Sequence, residues 1–159
     1  MTVLSYLFAF SSLTMLGISL VLYAVFIFDS ITRGHDLVTS KKAMGVLVKI
    51  IKQYKPEAKN FYDLGCAHGS LVTSVKKAMP YLEVYGIDNS VVRIFFAKVR
   101  SIIFGRKIYF AKQDIFDASL REGDVIYTYL WYDLMRPLEK KLRKELKEGA
   151  IVVTNTSSF

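Results

Sequence analysis

Residues 61–71 read FYDLGCAHGSL. Phe61 to Leu64 open the stretch as a short β-rich run, and Gly65 and Gly69 follow, with the only cysteine, Cys66, and one of two histidines, His68, between them. A strand that turns at an acid and runs through two glycines lets backbone N–H groups come close to a ligand, because glycine has no Cβ and tolerates a tight turn. Asp63, Gly65 and Gly69 form the order D-x-G-x-x-x-G, and Asp88 closes the next β-rich run, EVYGID, 19 residues past Gly69. An acid at that place can accept hydrogen bonds from both vicinal hydroxyls of a ribose, while the helix after the glycines points its N-terminus at the ligand.

Outward from this loop, β-rich runs and helical patterns alternate. NFYDLG is followed by a helix to about Met79, EVYGID by a helix from Ser90 to about Phe104, and KIYFAKQD and DVIYTYLW by a helix through RPLEKKLRKELKEG before AIVVTN. Upstream, KKAMGVLVKIIKQY places Met44, Leu47, Val48 and Ile51 at helical spacing, with a start near Thr39 and an end at Lys55-Pro56. This pattern predicts an α/β fold, a Rossmann-like doubly wound parallel sheet of about five strands in the order 3-2-1-4-5. Ligands of such sheets sit beyond the carboxyl ends of the strands, which is where the quoted loop falls.

The charge distribution sets the domain organisation. Met1 to Phe28 contains no Asp, Glu, Lys, Arg or His, so the whole net charge of +8 lies further on. VLSYLFAFSSLTMLGISLVLYAVFIF exceeds the ~20 apolar residues that cross a bilayer, so residues 1–28 are expected to be a single transmembrane anchor. A cleaved signal peptide would show a basic leader, a shorter apolar core and a small-residue cleavage site. Arg33, Lys41, Lys42, Lys49 and Lys52 follow the span and nothing basic precedes it. The positive-inside rule therefore places the rest on the cytoplasmic side of a membrane. Residues 29–38 read as a polar linker and residues 39–159 as the domain. With a single cysteine no intramolecular disulfide is possible.

Two phosphate-binding classes are excluded by the loop itself. A P-loop requires G-x-x-x-x-G-K-[ST], but Ser70 follows Gly69; a nicotinamide fingerprint requires G-x-G-x-x-G, but Cys66, Ala67 and His68 follow Gly65. Asp63 beside the pocket repels a pyrophosphate and suits a ligand with a cationic amine. S-adenosyl-L-methionine combines ribose, adenine, amine and sulfonium. Cys66 with one histidine offers too few ligands for zinc, and no metal is expected. No [DN]-P-P-[YFW] motif follows the fourth strand, which speaks against nucleic acid as substrate despite the basic charge.

Thr39 before a helix, YDLGCAHGSLV, GIDNS and YTYLWYDLMRPLEKKLRKELKEGAIVVTNTSSF resemble the class I S-adenosylmethionine-dependent methyltransferases from about Thr39 onward. Within that class they are similar to the small, often membrane-anchored lysine methyltransferases, which include archaeal broad-specificity protein lysine methyltransferases and the mitochondrial ATP synthase c-subunit methyltransferase. The resemblance implies S-adenosyl-L-methionine as cofactor, with Thr39, Asp63, Gly65, Cys66, Gly69, Asp88, Asn89 and Tyr129 in its pocket. Asp114 follows from the wider class. Tyr129, Trp131, Tyr132 and Asp133 would position the substrate, expected to be a lysine of a membrane protein. Ala67 departs from the family pattern, which has its middle glycine there. The last hairpin of the class is expected to be missing, leaving the fifth strand exposed or in need of a partner or second copy.

Blander readings stand beside these. Asp63 and Asp114 can be turn caps at strand ends, Tyr127, Tyr129, Trp131 and Tyr132 ordinary packing, and the basic residues of the last helix a solvated face or one near an anionic leaflet. A lipid, quinone or other small-molecule methyltransferase and a non-catalytic membrane-anchored binding module remain as rival functions.

Overall fold

Runs rich in β-branched and aromatic residues form the sheet because such side chains suit a pleated, buried surface. The structure is a computed structural model and describes residues 3–33 and 39–155. Five strands, β1 (Asn60–Leu64), β2 (Glu83–Asp88), β3 (Tyr109–Lys112), β4 (Val125–Thr128) and β5 (Ile151–Thr154), pair in parallel in the order β3-β2-β1-β4-β5. This is the order expected from the sequence. Leu64 is in register with Ile87 of β2 and Thr128 of β4, so the central strands end together at one carboxyl edge.

Helices α2 (Lys41–Tyr54), α3 (Ser70–Ala78) and α4 (Val91–Ile103) cover one face, and α5 (Tyr132–Glu145) packs on the other. Leu47, Ile51, Val72, Val75 and Ile94 meet Phe61, Val84, Val125 and Tyr127 in the first core. Leu138 and Leu142 of α5 meet Leu64, Ile87 and Ile126 in the second, where the turn-rich segment between β3 and β4 adds Ile115 and Leu120. Helix starts follow local chemistry: Ser40 Oγ accepts from Ala43 N–H at 3.1 Å and Ser90 Oγ from Arg93 N–H at 3.2 Å. On the α5 side of the sheet, Tyr62 and Tyr85 stack with centroids 4.5 Å apart, and Tyr85 with Tyr109 at 5.0 Å. Burial, and then Glu83 accepting its hydroxyl, pushes the Tyr85 phenol up to about 12.

Two boundaries differ from the sequence reading. The fourth strand ends at Thr128, and Tyr132 and Asp133 form the first turn of α5 rather than a strand edge. The amino-terminal helix α1 runs from Val3 to Arg33, so residues 29–33 are helical where a polar linker was expected. The remainder of that linker, residues 34–38, lies outside the described residues. Val3–Ile31 spans 29 residues with mean hydropathy 2.1. At ~1.5 Å per residue this exceeds the ~30 Å hydrocarbon layer. Ser11 and Thr14 turn their hydroxyls back to the carbonyls of Phe8 and Ser11, which satisfies them within the helix.

Asp124 ties the amino ends of the strands together. Its Oδ2 accepts from the N–H groups of Lys59 (2.8 Å) and Asn60 (2.9 Å), and Oδ1 pairs with Lys147 Nζ at 2.8 Å. Burial alone would raise its pKa, but Lys147 and the two N–H groups outweigh that and hold it below the usual carboxylate range. Asp124→Asn should cost on the order of 1.5–3 kcal/mol at neutral pH through the lost charge-assisted bonds. Because the folded pKa is depressed, this contribution is present above the unfolded pKa of an aspartate and lost as pH falls through the folded value. Denaturant unfolding of both proteins from neutral to acid pH measures it; curves that stay equally separated at the acid end contradict the role.

Candidate functional site

The glycine loop is laced to β2 around Asp88, to which the chain leaving β3 is also bound. Gly65 N–H and Cys66 N–H donate to the Ile87 carbonyl at 2.8 and 3.0 Å, and Gln113 N–H donates to the Asp88 carbonyl at 3.0 Å. The Asp88 carboxylate accepts from Ala67 N–H through Oδ2 (3.0 Å) and from Ser90 N–H through Oδ1 (2.9 Å). A carboxylate oxygen accepts more than one bond, so the ribose-binding capacity expected of Asp88 survives this anchoring.

Two glycines serve different needs. A Cβ on Gly69 would lie 2.9 Å from Ala97 Cβ and 3.3 Å from its Cα, so this glycine lets α3 begin against the α4 backbone. At Gly65 the nearest obstacle is the flexible end of Leu130, and it is the φ of +82° that favours glycine. Ala67 holds a φ of +45°, a sparsely populated conformation for a residue with a side chain. Cys66 is buried, and its Sγ lies 2.9 Å from where a Cβ of Gly86 would stand, so the thiol packs against β2.

Asp63 and Asp88 are both buried, at 3% and 4% exposure. Burial first, and the neighbouring Asp88 charge second, push the Asp63 carboxyl up to about 8. Beside it the Tyr127 hydroxyl and Thr39 Oγ1 are 2.9 Å apart. Burial pushes the Tyr127 phenol up to about 12 against the opposing Thr39 hydrogen bond, with the Asp63 charge adding to the rise. Among the described residues no cation pairs with this buried acid, and beside it stands a neutral phenol. Helix α3 starts at Gly69 without a side-chain cap, leaving its first N–H groups open to an anion. An acid seeking an ammonium, a helix N-terminus seeking a carboxylate and Asp88 for ribose hydroxyls together match an amino acid joined to a nucleoside, and S-adenosyl-L-methionine fits.

The remaining expected residues lie elsewhere in the site or outside it. Tyr129 is half-buried and packs against the first core, while Asn89 is exposed beyond β2. Asp114 is exposed, its Oδ1 accepting from Phe116 N–H at 2.9 Å in a turn. Trp131 (57%), Tyr132 (67%) and Asp133 are exposed around the start of α5. The structure therefore brings Thr39, Asp63 and Tyr127 together, and Asp88 with the loop, but leaves the aromatic group at the rim. The Thr39–Tyr127 pairing was not foreseen; Tyr127 lies in β4 two residues before Tyr129, which follows the strand's end, and both pack against the first core.

The elevated Asp63 pKa carries a pH dependence. Unfolded, Asp63 ionises near its ordinary value of 3.8, whereas folded it keeps its proton to about 8, so between these values the unfolded state binds fewer protons. Stability from this group is full below pH 3.8 and is lost as pH rises towards about 8. Asp63→Asn should remove that slope, at most about 1.4 kcal/mol per pH unit, so the variant is the more stable protein at pH 8. It should also bind S-adenosyl-L-methionine more weakly by about 1.5–3 kcal/mol, the worth of a charge-assisted hydrogen bond. Melts across pH and titration calorimetry read both; a variant less stable than wild type at pH 8 contradicts the burial account.

Comparison with known proteins follows this geometry. The profile of the ANTKMT methyltransferase domain matches residues 63–159. Carboxy-S-adenosyl-L-methionine synthase of Nitratiruptor is 28% identical over 102 residues, 64% of this chain and 43% of that protein. The chain thus spans about half the length of the synthases it matches. A protein-lysine N-methyltransferase of Saccharolobus islandicus is 24% identical over 119 residues, 74% of this chain and 73% of that protein. Among solved structures, an RNA methyltransferase of Salinibacter ruber in complex with S-adenosyl-L-homocysteine superposes with a TM-score of 0.68 at 22% identity, over 74% of this chain and 76% of the other. At that identity the likeness bears on the fold. By its matched domain, the glycine loop and the sheet order, the chain belongs to the ANTKMT methyltransferase domain family of class I S-adenosylmethionine-dependent methyltransferases.

Proposed function

We propose that this protein is a membrane-anchored S-adenosylmethionine-dependent methyltransferase that modifies lysine side chains of proteins at the membrane surface, with its domain on the cytoplasmic side. The observation that carries the reading is the buried pair Asp63 and Asp88 under the glycine loop, beside Tyr127 and Thr39. Bound there, the cofactor supplies an electrophilic methyl group on sulfonium. Asp63 would hold its amino group, Asp88 its ribose, and the α3 N-terminus its carboxylate. A lysine, with an ordinary pKa near ~10.4, must react without its proton, which loss of water on entering beside the half-buried Tyr129 favours. Tyr129, Trp131 and Tyr132 offer π-faces that attract the cationic methyl donor and the methylated amine products, and Asp133 can orient the incoming chain.

Lysine as acceptor is supported by the Saccharolobus relative's name and by the aromatic rim. Anchoring is supported by the length and hydropathy of α1. Six peptide steps separate Arg33 from Thr39, a contour of about 20 Å, so substrates near the membrane meet the pocket at high effective concentration. Asp88→Ala should weaken cofactor binding by on the order of 1.5–3 kcal/mol per lost bond. Mass spectrometry of membrane and soluble fractions, with labelled methyl donor, should find methyl-lysine on a membrane protein that disappears on gene deletion and returns with wild type but not with Asp88→Ala. Label on a lipid or quinone instead selects a small-molecule methyltransferase; a folded protein without cofactor binding selects a binding module.

A further inference from the structure

Helix α4 carries an apolar face that the fold covers only in part: Val92, Phe96 and Val99 are half-buried, Phe96 beside the His68 ring with centroids 5.9 Å apart, and the rest of the face is exposed. Ile94, Ala97 and Ser101 are its buried positions, toward the sheet. At about 100° per residue, Val91, Val92, Phe95, Phe96, Val99, Ile102 and Ile103 fall on the opposite arc, so the outward side of the helix is apolar along its whole length. Its solvent exposure is large: Val91 is 63% exposed, Phe95 54%, Ile102 78% and Ile103 73%, and Phe104 continues the surface at 56%. A surface helix normally turns polar residues outward, so a contiguous apolar patch of this kind marks a place of contact.

The charges around it narrow the partner. Residues 90–113 contain Arg93, Lys98, Arg100, Arg106, Lys107 and Lys112 and no acid. On the helix, Lys98 borders one side of the apolar arc and Arg93 and Arg100 the other. Apolar residues flanked on both sides by cations are the pattern of a helix lying in the headgroup region of an anionic membrane. A second copy of this chain is a poor match, because pairing the same faces brings like charges together.

We propose that the outward face of α4 seats in the interfacial layer of an anionic bilayer, as a membrane contact separate from α1. The proposal goes beyond the enzymatic reading and draws on it only for the bilayer that α1 makes a permanent neighbour. Phe95, Ile102 and Ile103 enter at the level of the acyl-chain boundary while Lys98 and Arg100 meet the headgroups. Helix α4 begins three residues after Asp88. The apolar face therefore starts beside the cofactor loop, and seating it holds the pocket near the headgroups.

The full chain carrying Ile103→Cys with a fluorophore tests this, in nanodiscs of phosphatidylglycerol and phosphatidylcholine doped with nitroxide lipid. Cys66 is buried, and labelling of the wild type measures its background. The residue-103 label should be quenched several-fold more than a label at exposed Glu122. The excess should fall several-fold in discs of phosphatidylcholine alone and in a Phe95→Ser, Ile102→Ser background whose melting and cofactor binding are retained. Discs that contain the chain but quench both labels equally overturn the α4 contact and leave the anchor standing. Equal quenching in neutral discs overturns the anionic preference, and cross-linking of residue 103 between chains without lipid quenching assigns the face to a second copy. A chain that stays out of all discs overturns anchor and α4 contact together.

Discussion

The Asp88 carboxylate joins elements that sequence alone leaves separate. One oxygen holds the loop after β1 through Ala67, the other holds the start of α4 through Ser90, and its carbonyl receives the chain leaving β3. Parallel strands leave their carboxyl ends without a turn to close them, so something at that edge must fix how the outgoing loops are arranged. Here an ionisable group at the end of β2 does so, the same group that the proposed function assigns to the ribose. Ala67 donates to this side chain while holding a φ of +45°.

Asp63 shows the opposite balance. It is buried beside a second acid, which destabilises its charged form, and the fold tolerates this because the carboxyl can keep its proton. A cationic ligand reverses the preference: an ammonium next to Asp63 stabilises the ionised form that burial opposes. Binding therefore repays part of a cost that folding incurs, a common arrangement at ligand sites, where local stability is traded for recognition.

Much of this was readable in the sequence because it is local. The alternation of strands and helices, the glycines at positive φ and the acid closing β2 are each set within a few residues, and the sheet order follows from the connections. What was not readable depends on distance or on backbone. Thr39 and Tyr127 meet across the whole domain. Ala67 and Ser90 act through their N–H groups, which no residue type announces. Asp114 follows a strand end as Asp63 lies within one, yet Asp114 is exposed in a turn to Phe116 and Asp63 is buried, and the two cannot be told apart without knowing which one the fold covers. The end of α1 was misjudged because Asp29 to Arg33, polar and short, is equally at home in a loop or a last helical turn.

The Thr39–Tyr127 hydrogen bond stands at the first described residue of the domain, directly before α2 and directly over the buried acid. Leu47 and Ile51, both fully buried, hold α2 to the sheet a few residues further on. Asp63, Tyr127 and the start of α2 therefore form one contiguous set of groups, and a change in the charge of Asp63 acts on the Tyr127 hydroxyl and through it on Thr39. A ligand's charge at Asp63 thus reaches the first turn of α2 through one phenol.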